Sequence, residues 1–303
     1  MIAVVAHHQL LAYARQRMLT VTVAVLGGFA LLAGVLGWAS HRTIIGVYDE
    51  SVKLVEARGQ ATPPNPFLLR PTLSMLSNEM IYITMIGALV AIVIGHLAVA
   101  DDDSSGIGRL VFTRPIPRTR YTIGKTTAIG ALLAIGIAAS YTVSVAALTI
   151  VDRFPAGRDL ARLAGFYLLA WCYLMVFALV GAVSVLITRR RSLGLLTAIG
   201  VWLTITFAVP QFSSGLRPTQ SLNPVVDPVS TNQALFRFTS HARPYSIAEQ
   251  FKEAAGRVLA TATPEPATDT WLRIAPILVT FIVLVVLAHW LIARHDYSRS
   301  NPE

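Results

Sequence analysis

Six apolar runs, each long enough to cross a bilayer as a helix, leave this chain few folds to choose from. They are Leu19–Trp38, Met80–Ala100, Thr126–Ile150, Leu163–Ile187, Leu193–Val209 and Ile274–Ala293. About 20 apolar residues in a helix match the hydrocarbon thickness. Within lipid the backbone must satisfy its own donors and acceptors, which a helix does and an open strand does not. Composition agrees: 54% of the 303 residues are hydrophobic and 14% charged, and mean hydropathy is +0.60. The expected fold is an all-α integral membrane protein with six transmembrane helices, read as a single membrane domain over residues 1–303.

The net charge of +9 raises the question of a nucleic-acid partner. The basic residues are scattered between apolar runs and form no stripe interleaved with exposed aromatics, so no nucleic acid is expected. Their placement reads as topogenic, because positive residues collect beside the cytoplasmic face. They are densest after the second run and at Arg189, Arg190 and Arg191. Six crossings put both termini on that same side, although Arg153, Arg158 and Arg162 in a loop on the other side run against the trend. The lone cysteine, Cys172, lies inside the fourth run and reads as a packing residue.

Residues 1–18 predict a helix lying along the cytoplasmic interface ahead of the first span. His7 and His8 are adjacent, so they do not share a helical face and read as solvated. His41 to Glu79 carries mixed charge and Pro63-Pro64-Asn65-Pro66, and reads as a loop on the outer side. Residues 211–272 form a second outer excursion. Within it SIAEQFKEAAGRVLA (246–260) predicts an amphipathic helix. Ser246 and Glu249 make a capping box, and Ile247, Phe251, Ala254, Ala255, Val258 and Leu259 share one face. Ile247, Phe251 and Val258 are candidates for an outer gate or a partner-binding face; the plainer reading is a helix that shields the spans.

The charged stretch between the second and third runs, DDDSSGIGRLVFTRPIPRTRYTIGKTT from Asp101 to Thr127, reads as a short cytoplasmic hairpin bent at Pro115 and Pro117. Gly124-Lys125-Thr126 is a decoy for a phosphate-binding loop, since the glycine required five residues earlier is Thr119. No nucleotide site of the chain's own is expected. The order acidic residues, Gly, apolar turn, Pro, two residues, Arg, five residues, Gly-Lys is met by Asp102, Asp103, Gly106, Leu110 to Phe112, Pro115, Arg118, Gly124 and Lys125.

That pattern resembles the cytoplasmic hairpin of type-2 ABC transporter permeases, the class that includes the permease of nitrous-oxide-reductase maturation. The resemblance implies a membrane subunit of an ATP-driven exporter in a bacterial or archaeal cytoplasmic membrane. It also implies an ABC ATPase subunit that binds the ATP, and a second permease copy or homologue. The hairpin, 101–125, would be the docking element, through Asp102, Asp103, Gly106, Leu110, Phe112, Pro115, Arg118, Arg120 and Lys125. The family often has an acidic residue just before the glycine, where this chain has Ser104 and Ser105. The competing reading is an integral membrane enzyme or metal-handling protein built on His96 and His289. Its spans would need clustered ionisable groups at mid-depth, and the sequence offers few.

Overall fold

The computed structural model describes residues 2–62, 72–104, 117–151, 154–214, 238–239, 241, 246–259 and 267–294. These residues form helices and no strand, and six helical stretches are long and apolar enough to cross a membrane. The helix α1 (Ile2–Arg15) comes first. Ala6, Gln9 and Tyr13 are its buried face, three and four residues apart, and His7 and His8 point to the exposed side. Arg17, in the left-handed region at φ 58°, turns the chain into α2 (Met18–Glu56).

The 39 residues of α2 extend far beyond the expected first span. At 1.5 Å per residue such a helix is about 58 Å long, nearly twice a hydrocarbon core of about 30 Å. The stretch from His41 to Glu56 was expected to be loop because of its mixed charge; charge is no obstacle to a helix that has left the bilayer. It stops where a glycine permits a left-handed residue. Gly59 has φ +67°, Gln60 N–H donates to Val55 O (3.1 Å) and Gly59 N–H to Glu56 O (3.0 Å). This pair of bonds is the Schellman arrangement.

The second span begins earlier than its apolar run. A 3₁₀ turn (Thr72–Leu76), α3 (Ser77–Tyr82), a π-helical turn (Ile83–Gly87) and α4 (Ala88–Ser104) follow without a break. Next come α5 (Arg118–Val151) and α6 (Gly157–Thr188). The fifth span was expected to end at Pro210, but the helix passes through it: α7 (Arg191–Leu203), a π-helical turn (Thr204–Ala208) and α8 (Val209–Ser214) are continuous. Proline lacks a donor and its ring presses on the carbonyl four residues back. The widened turn lies where that carbonyl, of Thr206, belongs. Trp202 Nε1, at the end of α7 just before this turn, donates to Thr84 O (3.3 Å) in the first widened turn. α9 (Ile247–Val258) and α10 (Ala267–Arg294) complete the described chain.

The bundle is built round α6. In its most apolar stretch 83% of residues are buried, against 11% in the last span. α6 packs on α4, α5, α7, α9 and α10. Its closest approach is to α4, where two glycines let the backbones touch. A Cβ on Gly181 would stand 2.3 Å from Ile92 O, and one on Gly95 would collide with the Ala178 carbonyl. Small residues at a helix crossing are how membrane helices gain contact area when lipid offers no hydrophobic drive.

Candidate functional site

The end of the bundle that carries the hairpin is held by polar contacts between elements far apart in sequence. Asp101, on the last turns of α4, reaches both α1's end and α7: Gln16 Nε2 donates to its Oδ2 (2.7 Å), and Arg191 pairs with its Oδ1 (3.3 Å). The three-arginine turn and the hairpin, the two densest basic features of the sequence, therefore meet at one end. The turn itself is tight, with Arg189 at φ 55° closing α6. Tyr13, fully buried on α1, donates to Ile94 O (3.1 Å).

The other leg of the hairpin is tied in the same way. Lys125 is buried on α5; its Nζ donates to Ala98 O and lies 5.4 Å from the centre of the Tyr121 ring. A buried ammonium away from water requires such partners. Beside it, Gly124 gives α1 room, since a Cβ there would stand 2.8 Å from Val5 Cβ. Arg118, half-buried at the start of α5, donates to Ile292 O (3.4 Å) and to Ala293 O on the last turn of α10. A guanidinium there satisfies helix-end carbonyls and opposes the negative end of the helix dipole.

Of the nine residues expected to dock a partner, three have described side chains. Arg118 and Lys125 are engaged inside the chain, and Arg120 is exposed. Asp102 and Asp103 lie in the last turn of α4, their side chains outside the description. Gly106, Leu110, Phe112 and Pro115 lie outside the described residues. The short helix of the second excursion is present, with Ser246 Oγ accepting from Glu249 N–H (3.4 Å). Ile247 and Phe251 are buried and Val258 is half-buried. Phe251 stacks on Tyr173, near the middle of α6, at 4.4 Å between ring centres. Glu249 and Gln250, outside that apolar face, are buried too, and Glu249 Oε1 accepts from Ser213 Oγ (3.2 Å). The helix is wedged among α6, α8 and α10.

His96 is one of the two histidines on which the competing reading was built. It is buried on α4 beside the glycine crossing, and its Nδ1 has no partner among the described residues. The residue that sequence reasoning missed is Glu79. Placed at the end of a loop by its position before the apolar run, it is buried at the far end of the bundle. Tyr167 OH lies 2.6 Å from its Oε1 and Ser144 Oγ 3.1 Å from its Oε2. The signal was available: Glu79 stands one residue before Met80, and a helix that starts a turn early carries it inside.

Six helical stretches long and apolar enough to cross a bilayer, packed into one bundle among the described residues, make this a multi-pass membrane protein. The chain belongs to the ABC-2 transporter family: residues 3–297 match the family described as ABC-2 family transporter protein. It is thus a membrane-embedded ABC transporter permease. Among curated proteins, none matches this chain.

Proposed function

We propose that this permease is the membrane subunit of an ATP-driven exporter, and that a separate ABC ATPase docks on the hairpin between α4 and α5. The observation that supports this most is the clamp at the hairpin base. Gln16, Arg191 and Arg118 connect both legs of the hairpin to α1, α7 and α10. A force applied to the hairpin would therefore be shared by most of the bundle and would not bend a free loop. Two packings of the helices, inward-open and outward-open, are then switched by closure of the ATPases.

In this reading the hairpin, both termini and Arg189–Arg191 are cytoplasmic, the end of α2 lies beyond the outer face, and α9 is sunk from that face toward the middle of α6. The membrane is a bacterial or archaeal cytoplasmic membrane. The kinship within the family is with the nitrous-oxide-reductase maturation permeases, on the strength of the hairpin pattern. Val279, Ile282, Val283 and Val286 on α10 and Leu31, Leu32 and Val35 on α2 are exposed apolar surface for lipid and for a second permease. Phe112 and Leu110 supply the apolar part of the dock, Arg120, Asp102 and Asp103 the charged rim, and Arg118 holds the base of the hairpin to α10. α9, through Ile247, Phe251 and Val258, closes the outer end of the route.

The test is copurification from the native membrane with an ATPase subunit. The chain alone should show no ATP turnover, and Phe112→Asp should abolish association while leaving insertion intact, since a buried unpaired carboxylate is strongly unfavourable. ATP turnover by the ATPase-free chain, or undiminished association with Phe112→Asp, would overturn the reading.

A further inference from the structure

The contacts around Glu79 form a closed triangle. Its carboxyl oxygens meet Tyr167 OH at 2.6 Å and Ser144 Oγ at 3.1 Å, and the two hydroxyls meet each other at 2.7 Å. All three residues are buried, on α3, α5 and α6 respectively.

Counting protons decides what this triangle is. A hydroxyl brings one donor, and an ionised carboxylate brings none. With Glu79 ionised, two protons must serve three contacts. One pair of oxygens is then left facing each other without a hydrogen, in a water-poor interior where an unmatched polar contact is most unfavourable. With Glu79 as the carboxylic acid every contact is filled in one direction. Glu79 Oε2–H donates to Ser144 Oγ, Ser144 Oγ–H to Tyr167 OH, and Tyr167 O–H to Glu79 Oε1.

No cation offsets a negative charge there: among the described residues, the Glu79 carboxyl bonds Ser144 and Tyr167 alone. Ionisable groups on the elements packed around this site are His41, Arg42, Tyr48, Asp49, Glu50, Lys53 and Glu56 on α2, Tyr141 on α5 with Arg118, Arg120, Tyr121 and Lys125 at its other end, Arg158, Asp159, Arg162, Cys172 and Tyr173 on α6, and Glu249, Lys252, Glu253 and Arg257 on α9; among the described residues none of them bonds the Glu79 carboxyl. The Tyr141 ring meets the Tyr167 ring edge-on at 5.8 Å.

We propose that Glu79, Ser144 and Tyr167 form a proton-binding site, occupied in this packing, whose occupancy holds the start of the second span closed against α5 and α6. The ligand is a proton carried on the Glu79 carboxyl. Its loss removes one of the three bonds that join these helices and leaves a charge the bundle does not neutralise. The packing at the far end of the bundle is thereby linked to pH. This inference does not depend on the ATPase partner or on the direction of transport.

The experiment is infrared difference spectroscopy of the full chain in lipid nanodiscs. At neutral pH the wild-type protein should show the carbonyl stretch of a protonated carboxyl, lost in Glu79→Gln. It should shift in Tyr167→Phe, because Tyr167 donates to that carbonyl. Glu79→Gln should fold with wild-type thermal stability at mildly acidic pH, since the amide supplies the third donor. Its stability should stay level as pH rises, whereas wild-type stability falls once pH passes the ordinary carboxylate range, where the unfolded chain ionises first, and levels off when the buried carboxyl has ionised too. Absence of the band at neutral pH, its survival in Glu79→Gln, or failure of Glu79→Gln to fold would each overturn the proposal.

Discussion

Gly181 and Gly95 show how much a single missing side chain decides. At both positions an added methyl meets backbone, which has no rotamer by which to move aside. Overpacking of this kind costs about 1–3 kcal/mol where the neighbours can shift. Gly181→Ala should therefore lower the apparent unfolding temperature of the detergent-solubilised chain clearly. Gly200→Ala, at a glycine with open space around it, should leave that temperature unchanged or slightly raised. Arg118 makes a different prediction. Replacing it by Met keeps a long apolar stem but removes the cap on Ile292 and Ala293. The loss of about 0.3–1 kcal/mol that a helix-end cation supplies should appear as faster amide exchange confined to the last turn of α10.

Among the elements, α9 differs most from its expected setting. Helical spacing identified its apolar face, and the Ser246 cap holds its first turn. The depth at which it sits came from aromatic packing: Phe251 against Tyr173, and Phe166 6.5 Å away. Because Phe251 is fully buried, Phe251→Ala should destabilise the docked helix by about 3–5 kcal/mol, as aromatic truncations in cores do. Phe251→Leu, which keeps most of the volume, should be milder; limited proteolysis within 246–260 gives the comparison. A variant meant to test the gating role should therefore be Phe251→Leu, since Phe251→Asp would bury a charge and unseat the helix. For α2 the determining signal was a terminator. Nothing between Trp38 and Glu56 stops a helix, and Gly59 does.

At the scale of the molecule, α1, the hairpin base, the three-arginine turn and the end of α10 come together through Gln16, Asp101, Arg191 and Arg118. They must therefore share one side of the membrane. Single cysteines in a Cys172→Ser background read out which side. Ser192→Cys should be protected from an impermeant thiol reagent in intact cells, and Gln60→Cys labelled, both positions being exposed on the protein. Labelling in the reverse pattern would invert the orientation and with it the proposed dock. Gln250 is a poor probe despite its place in a polar helix, because it is buried.

The number of spans and the helical fold of the described residues were legible in the sequence, because each rests on local chemistry. Apolar length against bilayer thickness, helix caps, and the order of charges, glycine and proline are all read along the chain. The same reasoning found the Ser246 cap and the apolar face of α9. What only the tertiary structure decided is which polar residues face one another. Lys125 looks like one basic residue among several until Ala98 O and the Tyr121 ring stand beside it. Glu79 looks like the last residue of a loop until Ser144, 65 positions on, and Tyr167, 88 positions on, close round it. A carboxyl group's environment is set by whatever three-dimensional packing brings within a few ångströms, and separations of that size along the chain carry no local signature.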